Sequence, residues 1–259
     1  MSQADHNHAA RYRAPALDKG LDILEILASH SEPLSRAEIG ALTGRSASEI
    51  YRMLERLVAR GYVARGATGD RYALTMRLFV LANSHPPLRR LVAQAQPMMD
   101  AFARETRQSC HLVMPEAGAG VVVAQASPVD NWELRVRIGA QLALTDTSSG
   151  LTLLAFQDQA RRVETFARWG CAGLASQLAQ QEAELAAIRK DGFRRAPSAQ
   201  LVGVTDLSVP VTGPSGDAEA VLTCAYIEHP GDRAAGGRQV ALDLLRNMAA
   251  QLSQPGLPS

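Results

Sequence analysis

The sequence predicts an α+β protein built in two parts, and three observations carry that expectation. Residues 16–58 hold apolar side chains at helical spacing, punctuated by two Ser-x-x-Glu boxes. Residues 62–74 give two short alternating runs around a glycine-rich turn. From residue 109 onward, short β-branched runs alternate with helical segments, the order expected of a sheet carrying helices on its faces. A length of 259 residues suits two domains at roughly 100–200 residues each.

Composition sets the outer limits. With 46% hydrophobic and 20% charged residues the chain can bury sizeable cores, which excludes a disordered protein. No apolar run reaches the roughly 20 residues of a membrane helix, and MSQADHNHAARYRA at the start has no apolar segment of signal-peptide type. Cys110, Cys171 and Cys224 form no closely spaced metal or redox pattern. A soluble cytoplasmic protein without metal or other cofactor is expected. The net charge of +1 conceals a basic stretch, since residues 36–77 hold eight Arg against four acids. Such a stretch is either a solvated face or a footprint for an anionic partner.

Residues 1–14 form a polar tail, expected to be disordered. Residues 16–29 follow with Leu17, Leu21, Leu24 and Leu27 at helical spacing. Ser35 and Glu38 make a capping box for a short helix over 35–43, ended by Gly44. Ser46 and Glu49 repeat the device. The helix they open keeps Ile50, Leu54 and Leu57 on one face and turns Arg45, Ser48, Tyr51, Arg52 and Arg56 outward. Gly61 stops it, and the hairpin over 62–74, carrying Arg71, follows. Three short helices and a hairpin describe a winged helix-turn-helix over residues 15–78, whose third helix suits the DNA major groove while the wing lies on the backbone. Arginine serves both contacts through its planar fork. Winged helices also dock proteins, and 25 of the 27 basic residues are Arg, which composition bias alone can produce. Glu49 is expected to cap rather than to read a base.

The run from Ala16 to Leu78 resembles the DNA-binding half of the IclR family of bacterial transcriptional regulators. The matching features are Gly20–Leu24, Ser35, the Ile-Tyr-Arg-x-Leu of residues 50–54, Arg60-Gly-Tyr-Val and Arg71-Tyr-x-Leu. Where family members often carry Pro-Lys-Ser-Thr, this chain has Ser46-Ala-Ser-Glu49, so another member's operator sequence does not transfer. The resemblance implies double-stranded operator DNA as partner, with Arg45, Ser46, Ser48, Tyr51, Arg52, Arg56 and Arg71 as contact residues.

Residues 79–107 are expected to form a helical linker, interrupted at His85-Pro86-Pro87. Its second part, 88–106, carries Leu91, Ala95, Met98, Met99 and Phe102 on one face, which is either core or a self-association surface. The family resemblance favours dimers or tetramers. Residues 108–253 then form the second domain, and 254–259 a short tail. Strands are expected at 110–114, 120–126, 134–138, 204–211 and 219–227, and helices at 151–156, 159–169, 174–190 and 237–252. Thr147-Ser-Ser-Gly-x-x-Leu-Leu-Ala-Phe, Ile188-Arg-Lys-Asp-Gly-Phe, Gly203-Val and Val209-Pro-Val resemble the same family's GAF-like effector domain.

That resemblance implies a small organic-acid effector, hydroxylated, amino or aromatic, held by Thr147, Ser148, Ser149 and Gly150, with Asp206, Thr223 and Ala225 on the facing strands. Free amides and the positive end of a helix dipole attract a carboxylate; the alternative is that Asp146, Thr147 or Ser148 merely caps the helix. Ala196 is expected on a preceding loop. Asp206 would repel an acid unless it bonded a hydroxyl or amine or carried a proton. The other arrangement turns it away, paired with an Arg such as Arg135 or Arg137. Cys110-His111 places adjacent strand residues on opposite faces, so no catalytic dyad is expected and no enzymatic activity. His6 and His8 sit in the tail and hold no metal by themselves. The functional expectation is a DNA-binding regulator modulated by an acid. The alternative is a metabolite sensor whose winged helix binds a protein.

Overall fold

A computed structural model describes residues 14–67, 71–129, 134–174, 178–228 and 236–253. The chain divides after Pro86 into two compact units.

In the first unit Pro15 starts helix α1, Pro15–Ala28, which buries Ile23 and Leu27. Strand β1, Leu34–Ser35, leads into α2, Arg36–Thr43. The Ser35 amide donates to the Glu38 carboxylate (2.7 Å) and the Glu38 amide to the Ser35 hydroxyl (3.3 Å), completing the expected box. Gly44 ends the helix in the left-handed region at φ 63°, a conformation that disfavours any Cβ. Helix α3, Ala47–Ala59, buries Ile50 and Leu54 completely. Strands β2, Val63–Arg65, and β3, Arg71–Leu74, form the hairpin. The β1 strand, not anticipated from the sequence, pairs with β3 through Leu34 and Tyr72, giving the sheet order β1-β3-β2. Ile23, Leu27, Leu34, Ile39, Ile50, Leu54, Val63 and Tyr72 make one core. Helix α4, Arg77–Asn83, closes the unit and buries none of its residues.

The second unit is a six-stranded antiparallel sheet with helices on both faces. Helix α5, Pro86–Thr106, starts at the two prolines that the sequence reading treated as an interruption. A first turn tolerates proline, because its amides lack intrahelical acceptors anyway. Strands β4, Cys110–Glu116, β5, Ala119–Ala126, and β6, Gln141–Ala143, are followed by helices α6, Ser148–Ala155, α7, Gln159–Arg168, and α8, Glu182–Asp191. Strands β7, Arg194–Pro197, β8, Val204–Thr212, and β9, Ala218–Ile227, precede α9, Gly237–Leu252. The sheet order is β6-β5-β4-β9-β8-β7.

One face of the sheet packs on α5 and α9 through Ala95, Met99, Phe102, Leu112, Leu207, Leu222, Leu242 and Leu245. The apolar face of residues 88–106 is therefore core of this unit. The other face packs on α6, α7 and α8 through Val113, Val122, Val221, Leu153, Leu154, Phe166, Leu185 and Ile188. Trp169 packs against this second cluster.

Three elements depart from expectation. Residues 134–138 are not a strand, because the place beside β5 is taken by Gln141–Ala143. The helix expected over 174–190 is broken by a turn at residues 179–181, after which Glu182–Asp191 is continuous helix. Ala196 stands in β7, opposite Asp206 of β8, and not in a loop. Residues 1–13 and 254–259 of the expected tails, with His6 and His8, and the tip of the wing at 68–70 lie outside the described residues.

Candidate effector cleft and recognition helix

The apolar stripe of α3 fixes which of its side chains face outward. With Ile50 and Leu54 at zero exposure, Ser48, Tyr51, Arg52 and Arg56 stand on the accessible side. Arg52 and Arg56 make no ion pair among the described residues. The Arg36 guanidinium lies 5.5 Å from the centre of the Tyr51 ring. Ser46 caps the helix and donates its hydroxyl to Glu49 (2.8 Å), whose carboxylate also takes the Ser46 amide (3.3 Å) and pairs with Lys19. Those contacts, Lys19 first, lower the Glu49 pKa to about 2. Glu49 is thus a cap, as expected. Of the four arginines among the candidate DNA contacts, two already have internal partners. Arg45 pairs with Asp22 of α1, and Arg71 donates to the Pro33 carbonyl (2.6 Å) beside Glu38 (3.5 Å).

In the second unit, the strand register assembles a polar row on the face beneath α6. His111, Thr223 and Ser208 stand directly opposite one another on β4, β9 and β8. Paired residues share a face, as do residues two apart, so Asp206 and Ala225 belong to the same surface. A cleft of about 410 Å³ opens here. It is lined by Thr147, Ser148, Ser149, Asp206, Thr223 and Ala225, together with His111, Arg135 and Arg137 and an apolar wall of Leu134, Val136, Ala140 and Leu142. Gly150 is the exception among the expected residues. A Cβ on it would stand 2.5 Å from the Ala143 carbonyl oxygen and from Leu144 Cα, so Gly150 seats α6 on that turn and does not line the cleft.

Thr147 is the cap of α6. Its hydroxyl accepts from the Gly150 amide (3.1 Å) and donates to the Ala143 carbonyl (2.6 Å). Beyond it, four buried hydroxyls are linked, and each has a single hydrogen to give. Ser208 donates to Ser148 (2.9 Å). Its contact with Thr223 (2.8 Å) then takes its hydrogen from Thr223, and the contact of Thr223 with Ser149 (2.9 Å) takes its hydrogen from Ser149. Among the described residues the Ser148 hydroxyl hydrogen is left unspent, beside the Ser148 and Ser149 amides, which have no intrahelical acceptor. Two kinds of neutral donor, a hydroxyl and backbone amides, thus converge at one helix start, which is suited to an anionic oxygen.

Asp206 has its pKa raised by burial, partly offset by a hydrogen bond from Ser198 and by the charge of Arg194. Arg194 acts on it through charge alone, since its guanidinium forks onto Glu184 (2.8 and 3.0 Å), while Arg135 and Arg137 line the same cleft. His111 is 6% exposed, and its Nε2 has no hydrogen-bond partner among the described residues. Burial alone lowers its pKa to about 4, leaving a neutral ring. Cys110, on the opposite face, is raised by burial and by Asp100. A thiol buried among apolar groups and turned away from its neighbour is no nucleophile.

Sequence reasoning about the cleft missed His111, Ser208 and the segment Ser198–Leu201. A serine inside the apolar run of β8 was the available signal. His111 gave none until its cross-strand neighbours were known.

A three-helix winged domain followed by an α/β sensor-like domain with a polar cleft defines a two-domain regulator of the helix-turn-helix class. Residues 16–67 match the IclR helix-turn-helix domain, and residues 88–254 match the bacterial transcriptional regulator IclR C-terminal domain. The chain belongs to the IclR family of bacterial transcriptional regulators, a family of regulators rather than of enzymes, and its second domain is GAF-like. It is 28% identical to the HTH-type transcriptional regulator KdgR of Escherichia coli over 141 residues, 54% of this chain and 53% of that one. The chain thus spans about half the length of that relative. It is also 28% identical to the regulator Rv1719 of Mycobacterium tuberculosis over 215 residues, covering 78% of this chain and 79% of that one. The crystal structure of Pseudomonas aeruginosa HmgR shares the fold with a TM-score of 0.70, at 23% identity, over 92% of this chain and 97% of that one. No helix among the described residues is long and apolar enough to cross a membrane.

Proposed function

We propose that the protein binds operator DNA through α3 and the β2–β3 wing, as a dimer or higher assembly, and that a small organic acid in the cleft sets its operator affinity. The observation that carries the DNA half is the pair Arg52 and Arg56, exposed on the outward face of α3 with no ion pair among the described residues. Ser46, Ser48 and Tyr51 border them. Arg45 and Arg71 hold the start of α3 and the wing strand in place through Asp22, Pro33 and Glu38, and present their remaining donors to phosphate. In the cleft, the Ser148 hydroxyl and the first amides of α6 take the carboxylate, and Arg135 and Arg137 supply the attracting charge. Thr223 and Ala225 form the floor. Asp206 takes a donor group on the effector, which resolves its conflict with an acid ligand.

The test is a titration of promoter DNA flanking the protein's own gene, repeated over a range of salt and with hydroxylated, amino and aromatic acids. Each phosphate contact adds about 0.9 to the slope of log K against log salt. Replacing Arg52 and Arg56 with Ala is expected to lower operator affinity at least about tenfold and to flatten that slope by about 1.8 if both touch phosphate. Unchanged affinity and slope would remove α3 from the interface. No DNA binding at low salt would transfer the winged helix to a protein partner.

A further inference from the structure

We infer that His111 is an effector-binding residue which selects acids bearing a hydroxyl on the carbon next to the carboxylate, the 2-hydroxy acids. The inference rests on the acid-binding reading of the cleft and narrows it.

His111 lies at the cleft wall, 6% exposed, with Nε2 unpartnered among the described residues. Every other polar side chain of its row is satisfied, since Thr223 and Ser208 bond to each other and to the serines of α6. A buried imidazole nitrogen without a partner weakens the fold, so the row gains nothing from Nε2 in the empty state. Its position sets which ligand atom it can reach. His111 and Thr223 are directly opposed in register, with Cβ atoms about 4.5–5.5 Å apart in such pairs. Thr223 in turn stands 2.9 Å from Ser149, at the helix start where the carboxylate sits. An oxygen on His111 therefore belongs to the carbon beside the carboxylate and not to the distal end of the ligand. A hydroxyl suits this place because it both donates and accepts, and so pairs with either tautomer of a neutral ring. The distal end of the acid meets the apolar wall of Leu134, Val136, Ala140 and Leu142.

The experiment measures binding of matched acids to the full-length protein by calorimetry: mandelate against phenylacetate, lactate against propionate, and malate against succinate. The wild type is expected to favour the hydroxy member of at least one pair by about tenfold, the scale of one hydrogen bond to a desolvated group. In His111→Leu the preference falls to near one, while His111→Gln, which keeps an N–H at the same reach, retains it. The leucine variant is expected to melt no lower than the wild type, because it removes an unpartnered polar group. Should it fail to fold, the wild-type ring reports directly: ¹⁵N resonances of His111 shift with the hydroxy acid and stay with its deoxy partner. A preference that survives in His111→Leu, or a ring that responds equally to both, overturns the role of His111 alone. If no acid binds while operator binding persists, the acid reading of the cleft fails with it.

Discussion

His111 is where burial and hydrogen bonding pull in opposite directions. Burial lowers its pKa to about 4, below the ordinary 6.5. Between those values the unfolded chain binds the proton and the folded chain does not, so stability rises with pH across that window and is fully regained above pH 6.5. The total swing is about 3 kcal/mol. Denaturant midpoints between pH 4 and 7 are expected to show this slope in the wild type and a shallower one in His111→Leu. An equal slope in both would place the acid sensitivity elsewhere. At this scale the sequence was partly legible. Ser148, Ser149, Thr223 and Asp206, expected from the family resemblance, line the cleft because motif position carries them there. His111 was read only against its chain neighbour Cys110. Its meaning comes from Thr223, 112 positions away, across a strand pairing that no local pattern reveals.

At the scale of elements, the capping chemistry was readable because it is local. Ser35 with Glu38, and Ser46 with Glu49, act over three residues and set where α2 and α3 begin. Strand assignment failed where pairing, not alternation, decides. Residues 134–138 alternate as a strand does, yet Leu134 and Val136 turn toward the cleft while Gln141–Ala143 holds the ladder with β5. Gly150 shows the same dependence on tertiary contact. It was expected to touch the ligand, whereas its missing Cβ lets α6 lie against the Ala143–Leu144 backbone. Gly150→Ala gains helix propensity but forces a clash with main chain that cannot rotate away. The expected outcome is a loss of about 1–3 kcal/mol, the usual range for overpacking. Because Ser148 and Ser149 would move with the helix, acid binding should weaken as well. A variant that melts like the wild type would show that α6 can shift freely, and would undo the rigid placement of the hydroxyl chain.

For the whole molecule, the question is what the unburied helix α4 is for. It buries none of its residues, and Met76, Phe79 and Val80, at positions i, i+3 and i+4, are each more than half exposed. The apolar face of α5, by contrast, is consumed within the second unit's core, so α5 has less apolar surface to offer a second copy. Self-association, if it runs through the stretch between the domains, therefore falls to α4. Two winged helices read paired half-sites only when a shared interface fixes their spacing, and an effector alters operator affinity only by favouring one spacing over another. Phe79→Glu with Val80→Glu is expected to reduce the assembly measured by light scattering, since apolar contact is replaced by charge repulsion across a twofold interface. Acid binding, contained in one chain's second unit, should survive in the same variant, while affinity for a two-half-site operator drops by at least about tenfold, or about 1.4 kcal/mol. If assembly size is unchanged and operator affinity holds, α4 is not the contact, and the spacing of the recognition helices is set by another surface.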